Sequence, residues 1–202
     1  LLRAICAFSN GPLGASAGIL LIIAAYATIA SLFVSWYVYD LSGLYRLDWL
    51  PDADDRYETI VNINAGFDET SAFLRARYKT AKLIVYDFYD SEKHTEPSIK
   101  RARQACPRYP DTKQISSIET DLQDRPADRI FLIMSAHEIR DERERTQFFG
   151  QLKRVLAPDG DLIVVEHLRD AANLLAYNIG ALHFHSRKTW ADTFAAAELS
   201  IK

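Results

Sequence analysis

Arg129-Ile130-Phe131-Leu132-Ile133-Met134 is an almost wholly apolar run, and Asp161-Leu162-Ile163-Val164-Val165 is a second, separated by the charged stretch Glu142 to Val155 and by Pro158-Asp159-Gly160. An apolar run without polar alternation suits a strand covered on both faces, as in a parallel sheet flanked by helices. The order strand, helix, turn, strand repeats upstream. Thr59 to Ile63 reads as a strand, Asn64-Ala65-Gly66 as a turn, and Asp68-Glu69-Thr70-Ser71 as a helix start, with acids and hydroxyls where free N–H groups await acceptors. Lys82 to Tyr86 reads as a second strand closed by Asp87, and Glu96 to Cys106 as a helix with Pro97 in its first turn. A short strand is expected near Gln114 to Ser117 and a last helix over Arg187 to Leu199. Strands alternating with helices predict an α/β fold, a doubly wound Rossmann-like sheet.

Ahead of this domain no charged residue occurs between Arg3 and Asp40, and Gly18 to Tyr39 supplies about the 20 apolar residues that cross a bilayer as a helix. Trp36, Tyr37, Tyr39, Tyr45 and Trp49 gather at its far end, as aromatic rings do at headgroup level. A secretory signal, with its shorter apolar region of about 7 to 15 residues, and a helix buried in a soluble core are the rival readings. The organisation expected is an N-terminal flank over 1–17, a transmembrane helix over 18–39, an interfacial segment and acidic linker over 40–56, and the α/β domain over 57–202. Leu41 to Leu50 is read as a short interfacial helix. Arg3 and Arg46 nearly balance, so charge does not orient the span. The chain lacks an initial methionine and stops where a further strand should begin, which reads as a fragment.

A net charge of −3 without a basic face argues against nucleic acid as a partner. Cys6 and Cys106 are too few for a disulfide framework or a thiolate metal site. His183 and His185 have the spacing of a metal pair but no acid or cysteine at ligand spacing, so no metal is expected. Asp141-Glu142-Arg143-Glu144-Arg145 reads as a solvated helix surface.

Parallel sheets bind ligands outside the carboxyl ends of their strands, so the residues following each strand are the informative ones. Gly66 lets a ligand approach the first turn, and Asp87 ends the second strand where a carboxylate can hold ribose hydroxyls. His137 follows the strand ending at Met134, where it can act as a general base or be a polar loop residue without a role. Glu138 and the pair Glu166-His167 open towards the same cleft.

Ala127 to Glu138, followed by Phe148 to His167, resembles the second half of the class I S-adenosylmethionine-dependent methyltransferases. In that family a helix ends in a sequence like Arg-Val-Leu-Pro-Gly-Gly before strand five, and RVLAPDG, Arg154 to Gly160, fits with one change. The resemblance covers roughly Tyr57 to Lys202. The glycine motif is degenerate: Asn62 replaces the family's acid, Asn64 its first glycine and Asp68 its third, while Gly66 keeps the second. The resemblance implies S-adenosylmethionine as cofactor. Asn62, Asn64, Ala65 and Gly66 would line its methionine and ribose part, and Asp87 would hold the ribose. Phe88 would cover the adenine, Asp121 or Leu122 would meet its edge, and Ser135, Ala136 and His137 would face the reacting end. The function expected is methyl transfer to a small-molecule or lipid acceptor, such as a quinone precursor, by a single-pass membrane protein with its catalytic domain in the cytoplasm. A non-catalytic membrane protein of the same fold and a nicotinamide-dependent oxidoreductase are the alternatives.

Overall fold

The computed structural model describes residues 12–51, 56–94, 97–120, 122 and 126–202; Cys6 and Asp121 lie outside them. A long helix, α1 (Pro12–Trp36), leads the chain and continues as one wide π-turn, Tyr37–Leu41. Proline at the first helical position costs no hydrogen bond, so the helix starts at Pro12 and not at Gly18. The stretch Gly14–Leu41 is long and apolar enough to cross a membrane, and none of its apolar window is buried in the protein. That exposure overturns the buried-core reading of this helix.

The domain that follows contains β1 (Thr59–Asn64), α2 (Ser71–Arg77), β2 (Lys82–Asp87), α3 (Pro97–Ala105), β3 (Lys113–Gln114), β4 (Ala127–Ile133), α4 (Glu142–Val155), β5 (Leu156–Val165), α5 (Ala171–Tyr177) and α6 (Arg187–Ala196). All pairings in the sheet are parallel and the order is β3-β2-β1-β4-β5. The order reverses between β1 and β4, which opens a crevice at their carboxyl ends.

Successive residues of a strand point to opposite faces, and both faces are apolar here. On one face Ile60, Phe131 and Ile133 pack with Leu47, Leu74 and Tyr78. On the other, Val61, Ile63, Ile130 and Leu132 pack with Phe148, Phe149 and Trp190. Two cores, one on each side of the sheet, make the fold doubly wound. Burying a side chain such as Phe149 stabilises by roughly 1.5–3 kcal/mol.

Four local expectations change. Leu41 to Leu50 is not an interfacial helix: beyond the π-turn the chain forms turns, with Leu47 fully buried at φ 63° and Leu50 beside it. Those two leucines gain more from the core than from a membrane surface, and they tie the end of α1 to the sheet. Strand β5 begins at Leu156 and carries Pro158-Asp159-Gly160 inside it as an irregularity opposite Ala127 and Arg129. Glycine is required there, because a Cβ on Gly160 would stand 2.9 Å from the Ala127 carbonyl oxygen. Arg145 is not solvated but 2% exposed, its Nε donating to Thr193 Oγ1 and its Nη1 to the Ile139 carbonyl. The chain between β5 and α6 holds an unforeseen helix, α5, capped by Asp170 accepting from the Asn173 N–H, and then a 3-10 helix, Asn178–His183.

Candidate active site

A cavity of about 400 Å³ opens at the mouth of β1 and β4. Its floor is the turn after β1, Asn64 and Ala65, and its walls include Glu69, His137, Glu138, His167, Phe184 and, from the end of α1, Tyr39 and Tyr45. Asn64 is buried and its Nδ2 finds no acceptor among the described residues, so an unpaired amide donor lies in the turn that floors the cavity.

His137 stands on the short 3-10 turn Ala136–Glu138 that follows β4. Glu166, one residue beyond β5, grips it twice: Oε2 lies 2.6 Å from Nδ1 and Oε1 accepts from the His137 backbone N–H at 3.2 Å. Parallel pairing of β4 with β5 brings the two strand ends together. The Nε2 atom faces Glu138 Oε1 at 3.3 Å. Burial favours the neutral ring, but the Glu166 and Glu138 carboxylates outweigh it and raise the imidazole pKa from 6.5 to about 10. Burial also opposes ionisation of Glu138, yet His137 and His183 hold its carboxyl well below the usual range. His167, next in the chain after Glu166, is driven the other way by burial and accepts or donates a 2.8 Å hydrogen bond with the Tyr39 hydroxyl. His137, Glu138 and His183 place ligand atoms within 4.8 Å of one another, a proximity hidden in the sequence. The Arg140 guanidinium already caps the His183 Nε2 and its backbone carbonyl, so a cation is in place there.

The crevice on the β2 side is closed by side chains. Asp87 is 1% exposed; its Oδ2 accepts from Arg103 Nη1 at 2.9 Å and pairs with Arg108 Nη2 at 3.2 Å, while Oδ1 accepts from the Tyr89 N–H. Arg103 also donates to the Gly66 carbonyl and lies 4.1 Å above the Tyr89 ring. A Cβ on Gly66, at φ 95°, would stand 2.7 Å from that ring. Tyr89 and Arg103 thus occupy the ground above the glycine turn.

The structure brings Asn64, Ala65 and His137 to the cavity, and places Gly66 and Asp87 beside it beneath Arg103. It places the other described ones elsewhere. Asn62 points into the fold, donating to Thr70 Oγ1 at 3.0 Å and Ser71 Oγ at 2.8 Å, so it fastens the start of α2. Phe88 is 1% exposed and packs on Phe148; as the chain leaves β2 its side chain turns to the core and the next ring, Tyr89, stands over the turn instead. Leu122 is a core residue, Ser135 is buried with its hydroxyl on the Ile63 carbonyl, and Ala136 is fully buried. Asp121 lies outside the described residues. Tyr39, Tyr45 and Glu69 were not singled out as site residues by the sequence, since only folding carries the end of α1 to the β1 turn.

No family model and no curated protein sequence matches the chain. Solved structures do. An O-methyltransferase family 2 protein from Planctomyces limnophilus, in complex with apigenin, superposes with a TM-score of 0.54 at 14% identity, over 85% of this chain and 54% of that one. A SAM-dependent methyltransferase from Aquifex aeolicus gives 0.55 at 16% identity, over 81% and 85%. Human N-acetylserotonin methyltransferase in complex with SAM gives 0.52 at 15% identity, over 81% and 46%. The chain spans about half the length of the first and the last of these. At these identities the likeness establishes the fold: the chain has the α/β fold of the S-adenosylmethionine-dependent methyltransferases.

Proposed function

We propose that the protein is an S-adenosylmethionine-dependent methyltransferase, held to a membrane by α1 and acting on a small-molecule or lipid acceptor. The observation that carries this reading is the cavity at the switch in strand order, with a free amide donor at its floor and carboxylates in its walls. A sulfonium cofactor carries one positive charge, and Glu69 and Glu138, with Glu166 behind His137, make a cavity that favours a cation. The donor set fits the cofactor's amino-acid end: Asn64 Nδ2, unpaired among the described residues, can donate to its carboxylate. Asp87 can hold the ribose only when Arg103 and Arg108 release it.

Bound S-adenosylmethionine supplies the activated methyl group, so the chain's residues need only align the acceptor and take its proton. His137 is the group placed for this. Glu166 fixes its Nδ1, and its Nε2, which pairs with Glu138 Oε1 in the cavity wall, can accept a proton from an acceptor hydroxyl or amine once Glu138 yields that position. A cation beside the ring disfavours the imidazolium, so cofactor binding moves this histidine towards its base form.

The membrane reading rests on the length and exposure of α1 and its π-turn: the candidate span Gly14–Leu41, 28 residues, is longer than the roughly 7 to 15 residues of a signal peptide's apolar region. Cofactor supply then places the domain in the cytoplasm. Titration calorimetry of the full chain in lipid nanodiscs tests the central claim. Micromolar binding of S-adenosylmethionine and S-adenosylhomocysteine, with NADH silent, is expected; failure to bind either would remove the reading.

One observation favours a second reading, a non-catalytic protein on the same fold: both Asp87 oxygens and the surface of Gly66 are already engaged by the protein itself. The same titration separates the two.

A further inference from the structure

We infer that α5 and the following 3-10 helix form a re-entrant hairpin that dips into the bilayer alongside α1, so that the membrane is their partner. The inference rests on the reading of α1 as membrane-spanning and goes beyond it, because it gives the α/β domain a second embedded element.

The segment from Ala171 to Leu182 has no charged residue, and Arg169 and Asp170 precede it. Its two legs turn inward and outward faces to different neighbours. Ala176 and Ala181 are buried against the protein, whereas Leu175 is 64%, Ile179 84% and Leu182 59% exposed. Three large aliphatic side chains in water on one short hairpin lose the burial term that a globular fold normally collects. The hairpin's first leg, α5, packs on α1, whose own apolar surface is exposed.

Depth is fixed by one contact. The Asn178 side-chain amide, at the hairpin tip, donates to the carbonyl of Ala27, in the middle of α1. Ala27 lies nine residues before Trp36, about 13 Å along the helix axis at roughly 1.5 Å per residue. The legs have matching reach: seven residues of α-helix extend about 10 Å and six of 3-10 helix about 12 Å. If the ring of Trp36 marks the interface, the tip sits well inside a hydrocarbon layer about 30 Å thick. The backbone meets the demand that layer makes, being helical on both legs, with the left-handed reversal at Asn178 (φ 54°) donating its N–H to Leu174 O. The tip's amide is paired to α1 in the manner of interhelical contacts in lipid.

The hairpin's roots are also the cavity's wall. His167 precedes it, Phe184 follows it, and both line the cavity with Tyr39 from the end of α1. An acceptor with an apolar tail can therefore leave the tail among α1 and the hairpin while its reactive end meets His137.

The test uses the full chain with Cys6 and Cys106 changed to serine, a single cysteine carrying an environment-sensitive fluorophore, and vesicles of phosphatidylcholine and phosphatidylglycerol brominated at mid-chain. Ile179→Cys should give a blue-shifted emission quenched by the brominated lipid to an extent comparable with Ile29→Cys in α1, while Lys188→Cys on α6 stays water-like and unquenched. Quenching at 29 with a water-like signal at 179 overturns the hairpin and leaves the spanning helix standing. No quenching at either position overturns both. A blue shift at 179 that fades on dilution and is indifferent to bromine assigns the face to a second copy of the chain, and likewise overturns the inference.

Discussion

The carboxylate of Glu166 holds His137 at two points, 2.6 Å from the ring Nδ1 and 3.2 Å from the backbone nitrogen, and it does so from the end of a neighbouring strand. Position and charge of the imidazole are thus set by one buried side chain, 3% exposed.

This pair makes stability depend on pH. The folded pKa of His137 is raised from 6.5 to about 10, so the protonated ring binds its proton more tightly in the native state than in the unfolded one. Its contribution is fully present below pH 6.5 and is lost as pH rises through about 10. Glu166→Gln should cost about 3 kcal/mol near neutrality, as expected for breaking a buried pair. The gap to wild type in denaturant midpoints should narrow steadily from pH 6.5 to about 10; a gap that stays constant would show that the charge of the pair is not what stabilises it.

Catalysis should follow the opposite slope. A base that must shed its proton gains activity with rising pH, so kcat/KM for methyl transfer should climb above neutrality and His137→Asn should flatten the profile, lowering the rate about 10²- to 10⁴-fold. A profile unchanged in His137→Asn would leave the residue a structural role only.

Arg103 competes with the cofactor for Asp87 and shields Gly66. Removing a charge-assisted hydrogen bond that must otherwise be broken before binding, worth about 1.5–3 kcal/mol, should tighten cofactor affinity about tenfold or more in Arg103→Ala. Asp87→Ala should weaken it instead. Equal affinities for wild type and both variants in calorimetry would place the adenosine elsewhere.

On α4 the two arginines two positions apart should behave differently. Arg145→Ala leaves the Thr193 hydroxyl and the Ile139 carbonyl without their donor and should cost about 1–3 kcal/mol. Arg143→Ala, on the exposed side, should stay within about 0.5 kcal/mol. Thermal unfolding of the two variants compares them directly.

Much of the fold was legible from local chemistry. The apolar runs at Arg129 to Met134 and Asp161 to Val165 announced strands covered on both faces, and α4 falls on Glu142–Val155 as its charged sequence suggested. Site residues were harder. Asn62 shares its face of β1 with Asn64 but lies two residues further back, against the start of α2, and Phe88, just past the end of β2, turns into the core. Arg145 looked solvated because its helix is rich in charge; only the approach of α6 with Thr193 shows that one of those charges is enclosed.

What the sequence by itself determined is the rhythm of strands and helices, the unbroken apolar span of α1 and the degenerate glycine turn, since each depends on residues near one another in the chain. The tertiary structure decided which groups meet: Glu166 on His137, Arg103 on Asp87, Asn178 on Ala27. These contacts join residues far apart in the chain, and their partners are chosen by strand order and side-chain direction, which no local pattern of residues encodes.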